Sequence, residues 1–136
     1  MATALPQKRR VRLSVAPLPN LYARVYAKRG ARELARLAAI FALSKTETGR
    51  LFCVSRQAVD EWYTKGVPVG RIADVGRTAD LAKAFHEQFQ AERIPQIVRA
   101  PLPGLDDQSV LAVIRARGTV PVMEMLDRAF SFIPRS

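Results

Sequence analysis

The sequence is poor in the residues that build most reactive centres. It has one cysteine, Cys53, and one histidine, His86. A lone cysteine closes no intrachain disulfide, and no Cys or His residues stand at metal-ligand spacing. Cys53 is expected as a small buried residue. His86, beside Phe85, is expected near a helix C-terminus, where it complements the dipole. There is no Gly-rich phosphate loop and no Gly-x-Ser-x-Gly elbow, and the carboxylates are scattered. Nothing brings a nucleophile to a base, so neither an enzyme nor a metal or cofactor site is expected. The longest apolar run, residues 37–43, is far too short to span a membrane. The N-terminus is basic but lacks the apolar stretch of a secretory signal. A cytoplasmic protein is the expectation. Strand signals are few, and no internal repeat is evident.

Basic charge is abundant. Lys and Arg number 22 against 12 Asp and Glu, a formal net charge of +10 on 136 residues. Such a chain attracts a polyanion, most often nucleic acid, with solubility or an acidic protein partner as the plainer explanations. Hydrophobic residues make up 49%, enough to build a core.

Residues 43–68 carry the most organised pattern. Ser44 with Glu47 has capping-box spacing, which predicts a helix starting at Lys45. Gly49 is small enough to let two helices approach, Cys53-Val54 fills a turn, and Val54 plugs the joint. Ser55 is the N-cap expected for a second helix. There Ala58, Val59 and Trp62 form one stripe, with Arg56, Gln57, Asp60, Glu61 and Tyr63 largely elsewhere. Gly66 ends that helix and Pro68 prevents its resumption. This is the pattern of a helix-turn-helix; an ordinary helical hairpin in a bundle is its plain counterpart.

Around it the chain predicts an all-α fold of about seven helices. Residues 1–19 hold Lys8-Arg9-Arg10, Arg12 and three prolines, and are expected as a flexible basic arm. That arm either tracks phosphates or is a solvated tail. Val11, Leu13 and Val15 alternate as a short strand would. A short helix over 20–28, capped by Asn20 and closed by Gly30, would turn Leu21, Tyr22 and Val25 inward. A stronger one follows over 31–43, with Leu34, Leu37, Ala38 and Phe41 on its inner face. A long helix over 71–90 carries Ile72, Val75, Ala79, Ala82, Phe85 and Phe89. Beyond it come one or two turns over 94–99, a Pro-Leu-Pro-Gly loop, a helix over 108–115 capped by Asp107, and a last helix over 120–130. The division expected is an arm (1–19), a helix-turn-helix part with the long helix (20–90), and a small C-terminal helical part (91–136).

The segment from Ile97 to Gly118, IVRAPLPGLDDQSVLAVIRARG, resembles the toxin-binding domain of the Xre/MbcA/ParS antitoxin family. Pro101, Leu105, Leu111, Gly118 and Leu126 stand at that domain's positions, and an Xre-like helix-turn-helix and a long helix precede it in the family's order. Asp106-Asp107 and Ser109 differ from the family's usual residues there. Xre-type turns usually carry Gly where this chain has Cys53. The resemblance implies an antitoxin that neutralises a RES-domain toxin, which consumes NAD, and represses its own promoter. It further implies that the C-terminal region covers the toxin's active-site entrance.

As a DNA binder, the second helix would enter the major groove. Arg56 and Gln57 are placed to touch base edges, guanine by Arg and adenine by Gln. Lys45, Thr46, Ser55, Tyr63 and Lys65 are the candidates for phosphate contacts. Asp60 and Glu61 sit awkwardly near phosphates. A homodimer would read a near-palindrome with half-sites about 34 Å apart; a hetero-oligomer with the toxin is the other assembly. As an antitoxin, the chain would use Leu105, Arg115, Arg117, Arg128, Phe132, Ile133 and Arg135, the apolar ones being equally suited to core packing. The tail from Ser131 is expected to plug or flank the toxin's NAD pocket. The rival reading is a stand-alone repressor of the phage-immunity type with no toxin. A nucleoid or RNA-binding protein fits less well, because no aromatics for base stacking lie on a basic face.

Overall fold

A computed structural model describes residues 17–130. The basic arm before residue 17, with its candidate strand at Val11, Leu13 and Val15, lies outside the described residues. So does the tail with Phe132, Ile133 and Arg135.

The fold is all-α. Among the described residues seven α-helices follow one another: α1 Pro17–Phe41, α2 Lys45–Phe52, α3 Arg56–Lys65, α4 Val69–Gln88, α5 Ile94–Arg99, α6 Val110–Arg117 and α7 Val120–Phe130. Short 3-10 turns at Ala91–Arg93 and Pro103–Leu105 link the later ones. A single bridge between Leu102 and Gln108 pins the Pro-Leu-Pro-Gly loop. Among the described residues no helix is long and apolar enough to cross a membrane.

The first helix corrects the sequence reading. Residues 17–41 form one continuous α1, not two helices parted at Gly30, and helix replaces the end of the expected arm. Prolines at 17 and 19 are tolerated because the N–H groups of a first helical turn have no intrahelical partner. Gly30 is a packing position and not a stop: a Cβ there would meet the Val67 Cβ at 3.0 Å. Leu21, Tyr22 and Val25 are exposed rather than turned inward. Tyr22 instead stacks on Tyr26, whose ring lies under the Arg29 guanidinium.

From Leu34 onward α1 is fully engaged. Leu34, Leu37 and Phe41 are buried against α4, where Val75, Ala79, Ala82 and Phe85 face them. Phe41 and Phe85 meet edge to face at 5.7 Å. The same core continues through Ile94, Val98, Val110, Val113, Val122 and Leu126. The boundary expected at residue 90 thus falls inside one continuous hydrophobic cluster. Leu81 and Thr78 add a second buried line to α4, and the Thr78 hydroxyl donates to the Asp74 carbonyl at 2.8 Å.

One predicted cap moves. Ser109, not Asp107, caps α6, accepting from the Ala112 N–H at 3.1 Å. Asp106 and Asp107 both take left-handed backbone, with φ of 55° and 62°. Aspartate tolerates that conformation better than most residues, so the pair makes the turn and leaves the capping to serine.

Candidate nucleic-acid interface

α2 and α3 are joined by a tight turn built from the sequence upward. The Ser44 hydroxyl accepts from the Glu47 N–H at 3.1 Å, and the Glu47 carboxylate accepts from the Ser44 N–H at 3.0 Å, completing the capping box. At the other end the Val54 N–H reaches the Gly49 carbonyl at 2.8 Å and the Cys53 N–H reaches the Arg50 carbonyl at 3.2 Å. This is a Schellman closure with Cys53 at its left-handed position, φ 58°. The closure turns Cys53 outward, so it is exposed and not the buried residue expected. Gly49 is required by close approach: a Cβ there would stand 2.7 Å from the Val54 carbonyl oxygen. Val54 packs against the core and Phe52 meets Trp62 edge to face at 6.0 Å.

α3 then starts at its Ser55 cap, whose hydroxyl accepts from the Ala58 N–H at 3.0 Å. Val59 and Trp62 are buried, and Arg56 and Gln57 project into solvent from the first turn. No acidic residue lies in that turn, so the positive end of the helix dipole is uncompensated. Lys45, Thr46, Ser55 and Lys65 are exposed, and Tyr63 is half-buried against the core. Burial raises the Tyr63 hydroxyl pKa, with nearby Lys45 pulling the other way, so it stays protonated and able to donate.

Lys45 differs from a free phosphate contact, because its amine is paired with the Asp60 carboxylate. The Lys45 hydrogen bond, with the charges of Lys45 and Arg56, holds the Asp60 pKa below its ordinary value. The acidic residue that sat awkwardly in the sequence is therefore neutralised locally and ties α3 to the start of α2. Glu61 is exposed.

Two arginines that organise this region went unnoticed in the sequence. Arg99, at the end of α5, donates to the carbonyls of Phe41 (2.9 Å), Ala42 (2.8 Å) and Pro95 (2.8 Å). It also grips both oxygens of the Glu47 carboxylate. It thus caps α1 and anchors α2 at once. The Ser44 N–H chiefly holds the Glu47 pKa below the usual range; burial pulls it upward, and the Arg99 hydrogen bond and charge lower it further. Arg71, in the first turn of α4, donates to the Phe52 carbonyl at 3.0 Å and lies over the Trp62 ring. Neither has a local signal for this role, since Phe41, Ala42 and Glu47 lie far from Arg99 in the chain and Phe52 lies 19 residues from Arg71.

The C-terminal candidates divide. Arg115 and Arg117 are exposed on α6 and line one open cleft; Arg128 is exposed on α7 and lines no part of it. Leu105, at 3% exposure, takes the core-packing alternative and is not at the surface. Compared with family models, curated proteins and solved structures, the chain matches none.

Proposed function

We propose that the protein binds double-stranded DNA through α3 and acts as the autorepressing antitoxin of a RES-type, NAD-consuming toxin. One observation carries the DNA half. Arg56 and Gln57 project from an acid-free first turn on a helix whose seat is fixed by Gly49, Val54 and Trp62. In this reading Arg56 bonds guanine O6 and N7, and Gln57 bonds adenine N6 and N7. Thr46, Ser55, Tyr63 and Lys65 hold phosphates, and Lys45 does so only by sharing itself with Asp60.

The antitoxin half rests on the resemblance of residues 97–118 and on the exposed Arg115, Arg117 and Arg128, whose charge suits an acidic toxin face. Leu105 supports that surface from beneath and makes no contact itself. A stand-alone repressor would use the same α3. Co-expression with a RES-domain toxin distinguishes the two: a stable complex with suppressed NAD consumption supports the antitoxin, and separate elution with full NAD consumption leaves the repressor. For the DNA half, Arg56→Ala should cost about 1–3 kcal/mol on a preferred site and little on random duplex. An equal loss on both removes Arg56 as a base reader.

A further inference from the structure

Beside the α2–α3 turn lies an open cleft of about 390 Å³, walled by the end of α2, the first half of α4, the end of α6 and the start of α7. Four arginines line it, Arg71 and Arg77 from α4 and Arg115 and Arg117 from α6, against one carboxylate, Asp74. Asp74 is already held by Arg77 at 2.6 Å. Arg71 spends one N–H on the Phe52 carbonyl and keeps the rest. Arg117 makes only a long contact, 3.4 Å, to the Gln108 side chain. Arg115 makes no hydrogen bond or ion pair among the described residues. Four like charges repel one another, and a cleft that gathers them with a single counter-charge is electrostatically incomplete.

The cleft has a second donor set. Gly118, Thr119 and Val120 form part of its wall, where α7 begins. The Thr119 and Val120 N–H groups have no backbone partner among the described residues, and no acidic residue lies in the first turn of α7. Helix N-termini with open N–H groups and guanidinium forks favour the same chemistry, the phosphoryl oxygen.

We infer that this cleft binds phosphoryl groups, two or more in a row. The Arg115 and Arg117 guanidinium groups hold the oxygens, Arg71 adds its remaining N–H groups, Arg77 adds charge while paired with Asp74, and the N-terminus of α7 receives one oxygen. The ligand is either a stretch of DNA backbone or a free polyphosphate such as a nucleoside diphosphate. The cleft reaches Cys53, two residues before the Ser55 cap of α3, so a duplex engaged by α3 has phosphates within reach. The free-ligand form does not depend on DNA reading by α3.

The test uses the full chain and two probes at matched ionic strength, pyrophosphate and a random-sequence duplex, titrated by calorimetry. R115A/R117A should weaken at least one probe by about tenfold or more. R32A/R36A, which removes equal charge from exposed positions on α1, should change both by less than about twofold. A loss for pyrophosphate alone identifies a free ligand; a loss for the duplex identifies the DNA backbone, whether or not Arg56 reads bases. Equal losses in the two double variants, or no loss in either, overturn the proposal. Amide shifts of the unmodified chain provide a second readout, free of any folding defect. Pyrophosphate or duplex should move Cys53, Thr119 and Val120, and shifts scattered over the basic surface or absent contradict the site.

Discussion

Ala42 and Cys53 both occupy left-handed backbone at Schellman positions, with φ of 56° and 58°. A side chain there costs about 1–2 kcal/mol that glycine avoids. Ala42→Gly and Cys53→Gly should therefore each stabilise the chain by about 1 kcal/mol in urea unfolding. Gly49→Ala should do the opposite, by about 1–3 kcal/mol, because the Val54 carbonyl is backbone and cannot step aside. At this scale the sequence is most legible where the chemistry is local. Ser44, Glu47 and Ser55 act on N–H groups three residues away, and both caps form as their spacing predicts. Cys53 is half legible: the turn was foreseeable, but its outward direction follows from the αL geometry that the Schellman closure imposes.

Arg99 ties three helix ends together although nothing near it in the sequence points to that role. It joins the end of α1, the start of α2 and the end of α5 through the Phe41 and Ala42 carbonyls and the Glu47 carboxylate. Those partners lie 52 to 58 residues away, beyond the reach of any periodicity. Arg99→Met should lower stability by about 2–3 kcal/mol, since carbonyls at a helix end lose a charged donor. It should also loosen the seat of α2. Because the Glu47 pKa is lowered on folding, its contribution is complete above the ordinary value of 4.5 and fades as pH falls below it. Glu47→Gln should flatten the part of acid destabilisation that appears below that value, as followed by urea midpoints across the acid range. Gly30 shows the opposite error of scale. Read locally it is a helix stop, whereas in the fold it admits Val67 against an unbroken α1.

At the scale of the whole molecule, one hydrophobic cluster extends from Leu34 to Leu126, and α2 packs directly against α6 beside it. The apolar stripes of α4 and of the second half of α1 were legible because a helix repeats its inner face every three to four residues. Their mutual arrangement was not, because it depends on distant pairs such as Phe41 with Phe85 and Phe89 with Phe130. The surface that remains carries much of the +10 charge. Duplex affinity should therefore fall linearly in logarithmic salt, with a slope that counts the phosphates neutralised. Charge alone produces that slope on any sequence, so sequence preference is the sharper measurement. Repeated selection from a random duplex pool should enrich one recurrent motif for the unmodified chain. The same selection with R56A/Q57A should lose that motif while retaining salt-dependent binding to bulk duplex. A chain that enriches nothing, or a double variant that enriches the same motif, contradicts DNA reading by α3.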